Sequence, residues 1–176
     1  DRYNFDRKER LAGFRKLAVN KNKEILEARI VAAQDRANKK MSMDISGDYK
    51  SLVMLYWGEG GKWPARSGLY LGSSDSEMLK VYIKLLEKCF EISKDKLMAR
   101  VHIRFDQNAA HCQKYWSTVL EMPLTQFYSP YIDKRSKGKK TLKADYMGVC
   151  AISCAGADIQ LELQSATGII SSRLTR

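Results

Sequence analysis

The stretch Leu52-Val53-Met54-Leu55-Tyr56-Trp57-Gly58-Glu59-Gly60 decides how the rest of the chain is read. With Tyr49 upstream, its apolar residues make a broad face and predict a helix over 46–57. The helix runs into Gly58-Glu59-Gly60-Gly61, where glycine permits termination and positive φ. Glu59 is thereby placed at a helix C-terminus, the end whose dipole favours cations. A capping preference does not explain a carboxylate there. A divalent cation does, because Mg²⁺ takes carboxylate, carbonyl and water oxygens. A surface glutamate in a glycine-rich turn is the plainer alternative.

Downstream, Lys62 to Ser67 reads as a loop and 68–73 as a short strand. Ser74-Asp75-Ser76-Glu77 has the form of a capping box, with Ser74 as cap, opening a helix to about residue 92. Residues 96–105 alternate: Leu97, Ala99, Val101, Ile103 and Phe105 on one face, Lys96, Met98, Arg100, His102 and Arg104 on the other. A period of two is a half-buried strand. Its polar face is mostly basic and is where a phosphate backbone fits. Asp106-Gln107-Asn108 begins a further helix to about residue 120, stopped at Met122-Pro123. Phe127-Tyr128-Ser129-Pro130-Tyr131-Ile132 reads as an aromatic edge strand, since Pro130 cannot donate to a ladder. Residues 133–143 form a basic loop carrying Lys134, Arg135, Lys137, Lys139, Lys140 and Lys143. A strand over 146–154 and a helix over 158–171 complete the order α-α-β-α-β-α-β-β-α.

Upstream, residues 6–42 contain no Pro and carry a thin apolar stripe (Leu11, Phe14, Leu17, Ile25, Ile30, Val31). They predict one long basic helix, a handle for nucleic acid or an arm for a protein partner. The expected organisation is a helical arm over 1–45 and an α+β domain over 46–176. The chain has 176 residues, enough to bury a core without disulfides or metal. Lys plus Arg total 31 against 20 Asp plus Glu, a net charge of +11, which points to a polyanion. No apolar run approaches ~20 residues, so no membrane span is expected. The charged N-terminus lacks the apolar core of a signal peptide, and the start on Asp1 suggests a portion of something longer. Cys89, Cys112, Cys150 and Cys154 show neither C-x-x-C spacing nor a zinc pattern with His102 or His111. They read as buried free thiols in a reducing, intracellular compartment. No phosphate loop or nucleophile elbow is present.

The segment 52–60 resembles the LAGLIDADG motif of homing endonucleases, in the divergent "LYWGEG" form of small one-motif proteins. Leu69-Tyr70-Leu71-Gly72-Ser73-Ser74-Asp75, Val101-His102-Ile103-Arg104-Phe105-Asp106-Gln107, Tyr115-Trp116, and 123–132 resemble successive later blocks of that branch. The resemblance spans about residues 48–165. It implies an antiparallel saddle-shaped sheet covered by helices, lying in the major groove of double-stranded DNA in preference to RNA. It implies a homodimer about the motif helices, through Leu52, Leu55, Tyr56 and Gly58. It also implies Mg²⁺ or another divalent cation on Glu59, with Gln107 and one of Lys139, Lys140 or Lys143 (Lys140 first) positioning the attacking water. Base contacts are expected from Arg100, His102 and Arg104. Phosphate contacts are expected from Lys62, Arg66, Lys134, Arg135, Lys137, Lys139, Lys140 and Lys143. Four positions depart from the family pattern: Val53 and Met54 replace small residues, Trp57 replaces the first acid, and Glu59 stands where Asp is commoner. The implied activity is site-specific DNA cleavage, a phosphodiester hydrolase. The alternative is a non-catalytic DNA- or RNA-binding protein of the same fold: a transcriptional regulator, a maturase or a ribonucleoprotein component.

Overall fold

The computed structural model describes residues 2–43, 46–61 and 68–175. Among these residues five α-helices and four strands follow in order: α1 (Arg2–Met41), α2 (Ser46–Glu59), β1 (Leu69–Ser73), α3 (Ser76–Phe90), β2 (Met98–Arg104), α4 (Ala109–Leu120), β3 (Tyr131–Asp133), β4 (Val149–Cys154) and α5 (Ala157–Leu174). The class is α+β, and the element order is the one the sequence predicts. None of these helices is long and apolar enough to cross a membrane.

The sheet runs β1-β4-β2-β3. β4 pairs antiparallel with both β1 and β2, but β2 and β3 pair in parallel, His102 opposite Tyr131 and Arg104 opposite Asp133. The expectation of a wholly antiparallel sheet is therefore corrected to a mixed one. The cause is the α4 crossover between β2 and β3, which returns the chain to the sheet in its original direction.

The alternation in β2 survives in space. Leu97, Ala99, Val101 and Ile103 are buried with Leu69, Leu71, Cys150 and Ile152 against the helices. Phe105 departs from the pattern and is 51% exposed, because the strand ends at Arg104 and the backbone turns. Asp75, not Ser74, caps α3: its carboxylate accepts from the backbone N–H groups of Glu77 and Met78. Asn108 caps α4 in the same way, accepting from His111.

The long first helix is only half an arm. Its exposed stretch 13–28 carries Phe14 and Leu17 in solvent. Its last turns are built into the domain, with Ala33, Ala37 and Met41 buried against the rest. Glu162 of α5, almost wholly buried, anchors them: Arg36 Nε donates to it at 3.0 Å, and Lys40 Nζ lies 3.3 Å away. The Tyr49 hydroxyl adds a bond of 3.2 Å from α2, and burial pushes that phenol well up. Arg29 and Asp158 form an outer pair at 2.7 Å. A boundary at residue 45 thus cuts through contacts that tie α1 to α5.

Candidate nucleic-acid interface

Helices cover one face of the sheet. The other face presents Arg100, His102 and Arg104 of β2, Tyr70 of β1 and Tyr131 of β3, all exposed or half-exposed. Arg100 lies over the Tyr128 ring at 5.0 Å, a contact that holds the guanidinium on the surface. His102 sits between two rings: its Nε2 is 3.4 Å from the Tyr70 hydroxyl, and its centroid is 5.3 Å from that of Tyr131. Tyr70, Tyr128 and Tyr131 were not among the expected site residues. Their side of the sheet depends on strand pairing, although the aromatic run 127–132 was the available signal.

Burial, and next the charge of Arg100, push the His102 imidazole below its ordinary value of 6.5. The unfolded chain therefore takes up a proton before the folded one does. This contribution to stability is present above about pH 6.5 and is lost as the pH falls through that value towards the lower folded one. Hydrogen bonds from Thr141 likewise hold the Asp106 carboxyl below the usual carboxylate range. Its effect is lost in a separate, more acid window. A urea midpoint that drops between about pH 7 and pH 5, and drops less in His102→Gln, is the expected result. An unchanged midpoint in both proteins contradicts it.

The basic segment after β3 is tethered to the end of β2. Ser136 Oγ donates to the Asp133 carbonyl and accepts from the Phe105 backbone N–H at 2.8 Å. Arg104 Nη2 donates to the carbonyls of Lys139 and Lys140, at 3.3 and 3.5 Å. Asp106 accepts from the backbone N–H and the hydroxyl of Thr141 at 2.6 and 2.8 Å. Gly148 closes the segment at φ +78°, where an added Cβ would run into the His102 carbonyl. Lys134, Arg135, Lys137, Lys139, Lys140 and Lys143 are all exposed. Some of this charge is partnered: Arg135 with Asp133 at 2.9 Å, Lys143 with Asp145 at 3.7 Å, and Lys137 over the Phe105 ring at 5.7 Å. Lys62 and Arg66 lie outside the described residues.

The three expected catalytic residues are not brought together. Glu59 is exposed at the end of α2, beside Gly60, which bridges to Leu71 of β1. Gln107 and Lys140 lie past the far end of β2. Three strand spacings of about 4.8 Å and five residues of about 3.3 Å separate Gly60 from Arg104 by roughly 20 Å. Gln107 is engaged by backbone at both ends of its amide, accepting from the Arg104 N–H at 3.0 Å and donating to the Tyr146 carbonyl. It holds the segment in place. Among the described residues no three His, Cys, Asp or Glu side chains cluster as a metal site. A lone exposed carboxylate does not make a Mg²⁺ site within one chain.

The expected dimer contacts need a similar correction. Leu52 and Tyr56 are buried in this chain's own core, and the Tyr56 hydroxyl donates to the Gly61 carbonyl at 3.0 Å. Leu55 is partly buried against the same core. The helix covers its broad apolar face with α3, α5 and the sheet, so a partner could meet only the opposite side. That side carries Met54, Trp57 and Gly58, with Met54 at 47% exposure. No protein-family model, no curated protein and no solved structure matches this chain.

Proposed function

We propose that this chain is a nucleic-acid-binding protein with a divergent LAGLIDADG-like fold. It lays a phosphate backbone along the open face of its sheet and the basic segment 134–143. The single observation that carries the reading is positional. Arg100, His102 and Arg104 share the uncovered face of β2, and the segment carrying the exposed lysines is tethered to that strand's end. The net charge of +11 supplies the long-range attraction. Double-stranded DNA is the favoured partner, with RNA second. A homodimer, if formed on α2, uses Met54, Trp57 and Gly58. Four free cysteines fit a reducing, intracellular compartment, and burial raises the thiols of Cys150 and Cys154 to about 12 and about 11, so neither is a ready thiolate.

The test is a salt series. Replacing Lys139 and Lys140 by Ala together flattens the slope of log K against log salt by roughly 1–2 units. An unchanged slope removes that segment from the interface.

A second reading, a divalent-metal-dependent endonuclease, is favoured by one observation. Glu59 is exposed at the end of α2, next to the side that a second copy would meet. Its dimer would then contribute two carboxylates. Nicking of plasmid DNA with Mg²⁺ that is lost in Glu59→Gln, while binding persists, is the result expected of it. Binding without nicking under any divalent ion leaves the non-catalytic reading alone.

A further inference from the structure

The open face of the sheet ends in a hollow of about 530 Å³ between the β2–β3 edge and the segment around 140–146. A volume of roughly 300–1,000 Å³ is that of a small-molecule site. Its apolar lining includes Val149 and Leu142, and its walls carry the rings of His102, Tyr131 and Tyr146. Arg104, Lys140 and Lys143 bring positive charge to the same lining. The single acid among the lining residues, Asp133, is already bound to Arg135 through Nε at 2.9 Å and Nη2 at 3.3 Å.

This combination selects a ligand class. Tyr131 is 50% exposed, so a ligand in the hollow can reach its side chain. Every nucleobase has a π-face that such a ring can take. Cations beside an aromatic wall match a base joined to a phosphate. A base inside a duplex shows only its edge, because both faces are covered by its neighbours. It reaches the wall of a hollow only when unstacked. The hollow is also preformed. Asp106 fixes Thr141, Arg104 fixes the carbonyls of Lys139 and Lys140, and the Trp116 indole N–H fixes the Met147 carbonyl at 2.8 Å.

We propose that this hollow takes one unstacked nucleotide of a bound nucleic acid, its base against Tyr131 and His102 and its phosphate among Arg104, Lys140 and Lys143. The proposal rests on the nucleic-acid reading above and adds to it a preference for an unpaired base.

The experiment compares three labelled duplexes by fluorescence anisotropy at one salt concentration: fully paired, with a single bulged adenosine, and with a bulged abasic nucleotide. The bulged adenosine is expected to bind about tenfold tighter than the other two. Tyr131→Leu is expected to erase that preference, bringing the bulged adenosine down to the affinity of the other two duplexes. Circular dichroism checks that this edge-strand variant is folded. Equal affinity for all three duplexes overturns the hollow's role while leaving nucleic-acid binding intact. Loss of affinity for all three alike in a folded Tyr131→Leu also overturns it. No binding to any duplex at low salt overturns both readings together. Adenosine monophosphate is run as a competitor to separate a free nucleotide from one held in a polymer. Competition only at millimolar levels supports the polymer-bound form, and competition as strong as the bulged duplex itself overturns it.

Discussion

Trp116→Ala is expected to lower the unfolding free energy by about 3–5 kcal/mol. Trp116 is 1% exposed, edge-on to Tyr115 at 5.4 Å, and its indole N–H bonds to the Met147 carbonyl. Truncation removes the largest wholly buried side chain among the described residues and leaves that carbonyl without its donor. In a chain of this length the thermal midpoint falls by roughly 10 °C or more. Against a total stability of about 5–15 kcal/mol, the variant is close to unfolding, and nucleic-acid binding goes with it. Trp116→Phe separates packing from positioning. It keeps most of the apolar volume and drops the hydrogen bond, at a cost of about 1 kcal/mol. It is expected to fold, with a weaker hold on the segment before β4 and a reduced affinity. Urea denaturation with a parallel binding titration measures both. Wild-type stability in Trp116→Ala contradicts the packing account. Wild-type affinity in a measurably destabilised Trp116→Phe contradicts the positioning account.

Charge reversal on the sheet face is expected to have the largest effect on binding. One phosphate contact is worth about fivefold in affinity near physiological salt through counterion release. Reversing the charge removes the contact and adds a repulsion of similar size. The double change Arg100→Glu with Lys140→Glu is therefore expected to weaken binding by about 10²–10³-fold. Both side chains are exposed, so stability should stay within about 0.5 kcal/mol of wild type for each change. Lys21→Glu with Lys23→Glu, on the exposed stretch of α1, is the matched control. It is expected to change affinity by less than about threefold. If the α1 pair loses as much as the sheet pair, the long helix is the handle and the sheet is not.

What could be read from residue order alone was whatever depends on local spacing. The alternation of Leu97 to Ile103 gave β2 and its two faces, because a strand's period of two is a local property. The order of helices and strands followed from similar periods and from Pro and Gly breaks. The capping residue of α3 was missed by one position, since Ser74 and Asp75 both have the chemistry and only the backbone turn chooses between them. Partner choice between distant elements was not legible. The parallel pairing of β2 with β3 depends on where the α4 crossover lands, and that placement turned Tyr131 into a neighbour of His102. The apolar face of α2 was equally compatible with a second copy or with the chain's own core. Leu52 and Tyr56 show that the core took it. Gln107 lies near basic residues in sequence, yet its amide is used to hold Arg104 and Tyr146, far from Glu59. The last turns of α1 were assigned to an arm because nothing local reveals that Arg36 and Lys40 meet a buried glutamate more than a hundred residues later.

The central claim is that the uncovered face of the sheet and the segment tethered to it bind a phosphate backbone. The most direct measurement is an anisotropy titration of the whole chain with labelled duplex DNA from about 50 to 200 mM salt. The account predicts binding whose log K falls with log salt at a slope of about −3 or steeper, and a slope shallower by about 2 in the sheet-face double variant. A slope near zero, or the same slope and affinity in both proteins, contradicts it.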